Sequence, residues 1–145
     1  MYARLRDHQF SLYEDYARKQ GLQGKSLLIL LWIYRHPKGI SQQTITRHTY
    51  STKQVVNAII KNFSKKGYIE STVHPKDRRK KLILLTKKGR QFAASIIDPI
   101  DEAEKKAFSQ LSAKQQQTLI ETTHLFTDIL TQEFMRLIKE ICPDI

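Results

Sequence analysis

Apolar positions follow a helical period over most of this chain and switch to a strand-like pattern in one short region. From residue 2 to 19, Tyr2, Leu5, Leu12 and Tyr16, with Phe10 and Tyr13 beside them, suit an amphipathic helix that ends at Gly21. Ser26 then opens a densely apolar segment, Leu27-Leu28-Ile29-Leu30-Leu31-Trp32-Ile33-Tyr34, which must stop near His36 because Pro37 follows. Apolar residues on every side predict a helix surrounded by protein at the centre of the fold. A short helix is predicted from Ser41 to His48, a break at Thr49-Tyr50-Ser51, and a further helix to Lys66. In that last helix Val56, Ile59, Ile60 and Phe63 form one stripe, Ser51 with Gln54 fits a capping box, and Gly67 fits the position just past its end.

The pattern then shortens. Tyr68, Ile69, Thr72 and Val73 are β-prone, His74-Pro75-Lys76 reads as a turn, and Leu82 to Leu85 forms a second apolar strand that ends at Thr86. After Thr86 the helical period returns. Phe92, Ile96, Ile100, Ala103 and Ala107 form a stripe interrupted by Pro99, which predicts a kink or a break there. Asp101 with Lys105 and Glu102 with Lys106 are spaced as i, i+4 pairs on its wet face. Ser112 with Gln115 is a second capping-box candidate. It opens a long helix on which Leu119, Thr123, Phe126, Leu130, Phe134, Leu137 and Ile141 repeat every three or four residues. A terminal stripe this long packs on another helix, within the chain or across a two-fold axis.

Charge sharpens this picture. The 145 residues carry 25 Lys+Arg against 14 Asp+Glu, a net charge of +11. Residues 41–90 hold 13 of those cations and only two acids, Glu70 and Asp77, whereas residues 91–145 are net acidic. The excess is therefore a face rather than a general property. Its densest part, Lys76, Arg78, Arg79, Lys80 and Lys81, sits at the tip of the predicted hairpin, where mutual repulsion calls for an anionic partner. Two short helices joined by a tight turn and followed by a basic hairpin make a winged helix-turn-helix. The fold class is thus mainly α with a small β-hairpin wing, and the expected partner is double-stranded DNA.

With Val56, Ile59, Ile60 and Phe63 facing inward, Lys53, Gln54, Asn57, Ala58 and Lys61 point outward and Val55 lies on the flank. Asn and Gln can pair with adenine, Lys reaches guanine or phosphate, and Val can touch a thymine methyl. Arg79 at the wing tip has the chemistry to enter a narrow minor groove. For Asp77, whose charge is wrong for DNA, an Asx-type turn is one reading.

The chain at this point resembles the MarR family of bacterial transcriptional regulators. The resemblance rests on Asp77-x-Arg79 followed by Leu82-x-Leu84-Leu85-Thr86-x-x-Gly89, and on Phe63-Ser64-Lys65-Lys66-Gly67-Tyr68-Ile69 at the end of the recognition helix. It implies a single domain over residues 1–145, with a DNA-binding lobe at 26–90 and dimerisation helices at 1–20 and 91–145. It also implies a homodimeric repressor on a pseudo-palindromic operator, and a wing in which Asp77 pairs with Arg79. Leu5, Leu12, Leu130, Phe134, Leu137 and Ile141 would then line the dimer interface. Tyr13, Tyr16, Trp32 and Phe92, where the first, second and fifth helices meet in such an arrangement, would line a pocket for a small apolar or phenolic effector. Three places depart from the family pattern: Thr49-Tyr50-Ser51 replaces an apolar-Gly-apolar turn, Ile45-Thr46 replaces Leu-Ala, and Ser71 replaces an arginine.

Enzymatic chemistry has no support in the chain: no Gly-rich phosphate loop, nucleophile motif or metal-spaced His/Cys set is present, and no cofactor is expected. Glu121, His124 and Asp128 fall on one helix face but read better as a solvated polar face than as metal ligands. Cys142, the single cysteine, excludes an internal disulfide and suits a reducing compartment. The longest apolar run is too short to span a membrane, so a cytoplasmic location is expected. The competing reading is a winged-helix module for protein or RNA assembly whose basic face anchors nucleic acid non-specifically.

Overall fold

The computed structural model describes residues 1–143 and divides into two compact units, residues 1–100 and 101–145. The first contains α1 (Tyr2–Lys19), α2 (Gly24–Tyr34), α3 (Gln42–His48), α4 (Lys53–Lys65), β1 (Ile69–Val73) and β2 (Lys81–Leu85). It also contains the opening turns of α5 (Lys87–Ser109), while α6 (Ala113–Ile141) belongs to the second. The fold is the mainly helical, winged helix-turn-helix arrangement that the residue pattern predicts.

All the buried apolar residues among those described lie in the first unit. Leu27, Ile29, Leu30 and Ile33 of α2 meet Ile45 of α3, Val56, Ile59 and Phe63 of α4, Ile69, Ile83 and Leu85 of the hairpin, and Ala93, Ile96 and Ile97 of α5 in one cluster. As its composition demands, α2 touches α1, α3, α4 and β2, although Leu28 remains exposed. On α5 the buried face is Gly89, Ala93, Ile96, Ile97 and Ile100; the predicted stripe was rotated, for Phe92 is half-buried and Ala103 and Ala107 are exposed. Of the two outcomes expected at Pro99 the break does not occur, and helix runs from Lys87 to Ser109 with Pro99 inside it. Proline removes one N–H and crowds one carbonyl, and the apolar residues on either side of it, Ile96, Ile97 and Ile100, are held in the core.

β1 and β2 pair antiparallel from Ile69 opposite Leu85 to Val73 opposite Lys81. Ile40 adds a one-residue bridge to the outer edge of β2, exchanging two backbone hydrogen bonds of 2.9 and 2.8 Å with Ile83. The wing's base is locked by the Thr86-x-x-Gly89 motif. The Thr86 hydroxyl donates to Gly67 O at 2.7 Å and accepts from Gly89 N at 3.0 Å, while Thr86 N donates to Tyr68 O. A Cβ on Gly89 would stand 1.9 Å from Tyr68 O, so only glycine lets α5 start this close to the hairpin.

In the second unit, Ser112 and Gln115 form the full capping box predicted for α6. The Gln116 amide donates to Phe108 O and Leu111 O and closes the preceding turn. None of the 29 residues of α6 is buried. Leu119, Phe126, Leu130, Phe134, Leu137 and Ile141 all stand exposed, as do Leu5 and Leu12 on α1. No described helix is long and apolar enough to cross a membrane.

Candidate nucleic-acid interface

The helix-turn-helix is built by two caps and a buried threonine. Ser41 caps α3 by accepting from Thr44 N. Thr49 is buried in the turn, its hydroxyl oxygen 2.7 Å from Ile45 O and 2.8 Å from the Ser51 hydroxyl, and Lys25 of α2 donates to its carbonyl at 3.0 Å. The predicted Ser51 cap is therefore displaced by one residue. Ser51 is occupied inside the turn, and Thr52 caps α4 by accepting from Val55 N at 3.2 Å. That leaves the Gln54 side chain without a capping duty and exposed.

Tyr50 occupies the turn's sharpest point with φ at +50°, the one described non-glycine residue with positive φ. The left-handed conformation costs an L-residue about 1–2 kcal/mol, so the chain accepts here a strain that glycine would avoid. Its side chain does not offset this by packing, for it is 94% exposed.

α4 buries Val56, Ile59 and Phe63 and turns Lys53, Gln54, Val55, Ala58 and Lys61 to solvent. Asn57 differs from the outward role expected of it: half-buried, it accepts a hydrogen bond from the Gln42 amide of α3. It ties the two helices together instead of standing free on the outer face. Asn62, exposed on α4, shares solvent with the outward row and was not singled out by spacing alone.

At the wing tip, His74 N donates to Lys80 O at 2.9 Å, Lys80 N to Asp77 O at 3.0 Å and Lys76 N to His74 Nδ1 at 3.0 Å. The Asp77 carboxylate accepts from the backbone amide of Arg79 at 3.0 Å. This is the Asx-type turn. The pairing of Asp77 with the Arg79 guanidinium that the resemblance implied is not formed among the described residues; the carboxylate meets the Arg79 backbone amide instead. Lys76, Arg78, Arg79, Lys80 and Lys81 are exposed and form no ion pair among the described residues. At the wing's base Lys88 donates to Lys66 O and lies 5.4 Å above the Tyr68 ring, so it serves the hairpin's anchorage.

The residues expected around an effector fall into different packing groups. Trp32 is stacked on His48 of α3, ring centroids 4.6 Å apart, and on His36 at 5.8 Å. Phe92 stacks on Tyr68 at 4.3 Å, beneath the wing. Tyr16 donates its hydroxyl to Ile96 O at 2.7 Å, and Tyr13 is partly exposed on the same helix. Glu121, His124 and Asp128 do not converge either: His124 faces Asp128 at 3.2 Å, Glu121 accepts from Gln117, and among the described residues no three potential metal ligands meet.

Comparison with known proteins matches this geometry. A family model described as MarR family covers residues 20–80, the span from the approach to α2 to the wing tip, ending before β2. Over that span the chain is similar to the MarR family. A curated relative, an uncharacterised HTH-type transcriptional regulator of Bacillus subtilis (strain 168), is 27% identical over 75 residues. That alignment covers 50% of this chain and 51% of the relative, so the match spans about half the length of each. Among solved structures, a MarR family regulator from Neisseria meningitidis superposes with a TM-score of 0.77 at 20% identity, covering 93% of this chain and 94% of that one. The S. aureus MepR–DNA complex gives 0.74 at 20% identity, covering 89% and 93%. At such identities the likeness is one of fold, and it extends over nearly the whole chain.

Proposed function

We propose that this chain is a homodimeric transcription regulator of the MarR family that binds a pseudo-palindromic operator and acts as a repressor. The observation that carries the reading is the exposed row on α4, Lys53, Gln54, Val55, Ala58 and Lys61, in the same unit as an unpaired five-cation wing tip. α4 would lie in the major groove, with Gln54 and Val55 reading base edges and the lysines reaching phosphate or guanine. The wing would follow the backbone and deliver Arg79 to the adjacent minor groove. Asn57 would act by holding α4 against α3 through Gln42.

The dimer rests on a different observation: α6 has a sustained apolar repeat and no buried residue, which suits a helix that packs on a second copy. A second copy covering Leu130, Phe134, Leu137 and Ile141 of α6 and Leu5 and Leu12 of α1 satisfies it. MepR, as its structures are described, is a regulator of a multidrug efflux pump and has been crystallised with DNA. That precedent supports DNA as the partner here. Release by a small apolar or phenolic effector completes the scheme. Such a ligand reaching Trp32 would disturb its stack on His48, the last residue of α3, and so act on the helix-turn-helix itself.

Enrichment of random duplexes by the purified protein tests the reading. An inverted repeat should emerge, and single-stranded RNA should compete poorly. If no sequence is enriched and RNA competes as well as duplex DNA, the chain is a non-specific anchoring module.

A further inference from the structure

The feature that the regulator reading leaves unused is Tyr50 and the groove beside it. The residue is 94% exposed, held by left-handed backbone, and its side chain forms no hydrogen bond or ring contact among the described residues. It borders a groove of about 700 Å³ lined by Gln42, Gln43, Thr46 and Arg47 of α3, Ser51 of the turn, and Lys53 at the start of α4. The lining holds two cations and no acid, together with hydroxyl and amide groups. A sugar-phosphate backbone has the matching chemistry: a negative charge for Arg47 and Lys53, acceptor oxygens for hydroxyls and amides, and a sugar face for an aromatic ring. In a helix-turn-helix the first helix crosses the backbone while the start of the second meets base edges, which places this turn at that crossing.

We propose that Tyr50 and this groove grip the DNA backbone flanking each half-site, with the phenol donating to a phosphate oxygen and Arg47 and Lys53 neutralising it. The proposal rests on the regulator reading and adds Tyr50 and Arg47, which belong to neither the wing nor the outer face of α4, beside Lys53 at the start of that face. It also accounts for the strained residue. A glycine at position 50 would relieve the backbone and abolish the contact, so at this one position folding and binding favour different residues.

The test uses the full-length protein and the duplex that the wild type itself enriches. Tyr50→Gly should bind that duplex about 10–100-fold more weakly, the range for losing a hydrogen bond to a charged group, while its thermal midpoint is unchanged or raised. Tyr50→Phe, which keeps the ring and the backbone strain, should lose about tenfold. Neutral methylphosphonates at the phosphates flanking each half-site should weaken the wild type by at least that factor, since Arg47 and Lys53 lose their partner too, and should cost Tyr50→Gly less than they cost the wild type, because the phenol's share of the contact is already gone. If Tyr50→Gly binds as tightly as the wild type, or if its loss and the methylphosphonate loss simply add, the groove is not a phosphate site. A wild type that enriches no duplex overturns the regulator reading itself and the groove with it. Wild-type enrichment with an indifferent Tyr50→Gly overturns the groove alone.

Discussion

α4 and α6 are both capped, amphipathic helices, yet they complete themselves in opposite ways. α4 buries Val56, Ile59 and Phe63 within its own unit and leaves polar and cationic side chains outside. α6 buries nothing, and its apolar residues are the exposed ones, Phe134 at 55% and Ile141 at 71%. The first helix is finished by its own chain and offers chemistry to an anion. The second is unfinished and offers hydrophobic surface to another helix. Amphipathicity alone does not distinguish them; what separates them is whether the apolar stripe is buried within its own unit.

The most severe way to break the comparison is to damage the finished side. Gly89→Ala places a methyl 1.9 Å from Tyr68 O, and the helix start or the hairpin must move. A loss of roughly 3 kcal/mol or more is expected, within the range of overpacking and backbone-strain effects. Chemical denaturation should show it, and a variant as stable as the wild type would mean that the junction of Thr86, Gly89 and Tyr68 is loose. On the unfinished side, Phe134→Glu should sever the dimer by placing an unpaired charge in the covered stripe, a cost of several kcal/mol. Sedimentation should then report a folded monomer. A dimer that persists would assign the α6 stripe to some other contact.

Smaller effects sharpen the DNA side. Arg79→Ala should weaken binding to the enriched duplex by about 1–3 kcal/mol with folding intact, because its side chain contacts nothing in the chain that holds the hairpin. Unchanged affinity at physiological salt would remove Arg79 from the interface. Lys61→Ala should weaken specific and non-specific duplexes alike and reduce the salt dependence by about one unit, as loss of one phosphate contact requires. A loss confined to a single base position would make Lys61 a base reader instead.

These predictions depend on parts of the molecule that were unequally legible in the sequence. Helix order, the hairpin register region, the α6 capping box and the glycine after α4 were all readable, because period, caps and positive-φ glycines are local signals. The α5 stripe came out rotated because Phe92 attracts attention as an aromatic, whereas the small residues Gly89 and Ala93 allow close packing. The Ser51 cap was off by one since Ser51 and Thr52 are equally good caps on paper, and only the buried Thr49 decides which hydroxyl is already engaged. Asn57 looked free from its spacing, but the Gln42 amide that holds it lies on another helix, 15 positions away. Trp32 and Phe92 looked like neighbours on helices expected to meet, yet His48 and Tyr68 claim their faces separately. Tyr50 was visible as a departure from the family's glycine; its backbone conformation and exposure give that departure physical meaning.

The central claim is that two copies of the exposed α4 row address one DNA site through an interface made by the unfinished helices. Hydroxyl-radical footprinting on the enriched duplex, with protein stoichiometry measured on the same complex, tests it most directly. Two protected regions related by a two-fold axis, with half-sites about 34 Å apart and two chains per duplex, are the predicted result. A single unsymmetric footprint bound by one chain, or uniform protection without a preferred position, would contradict it.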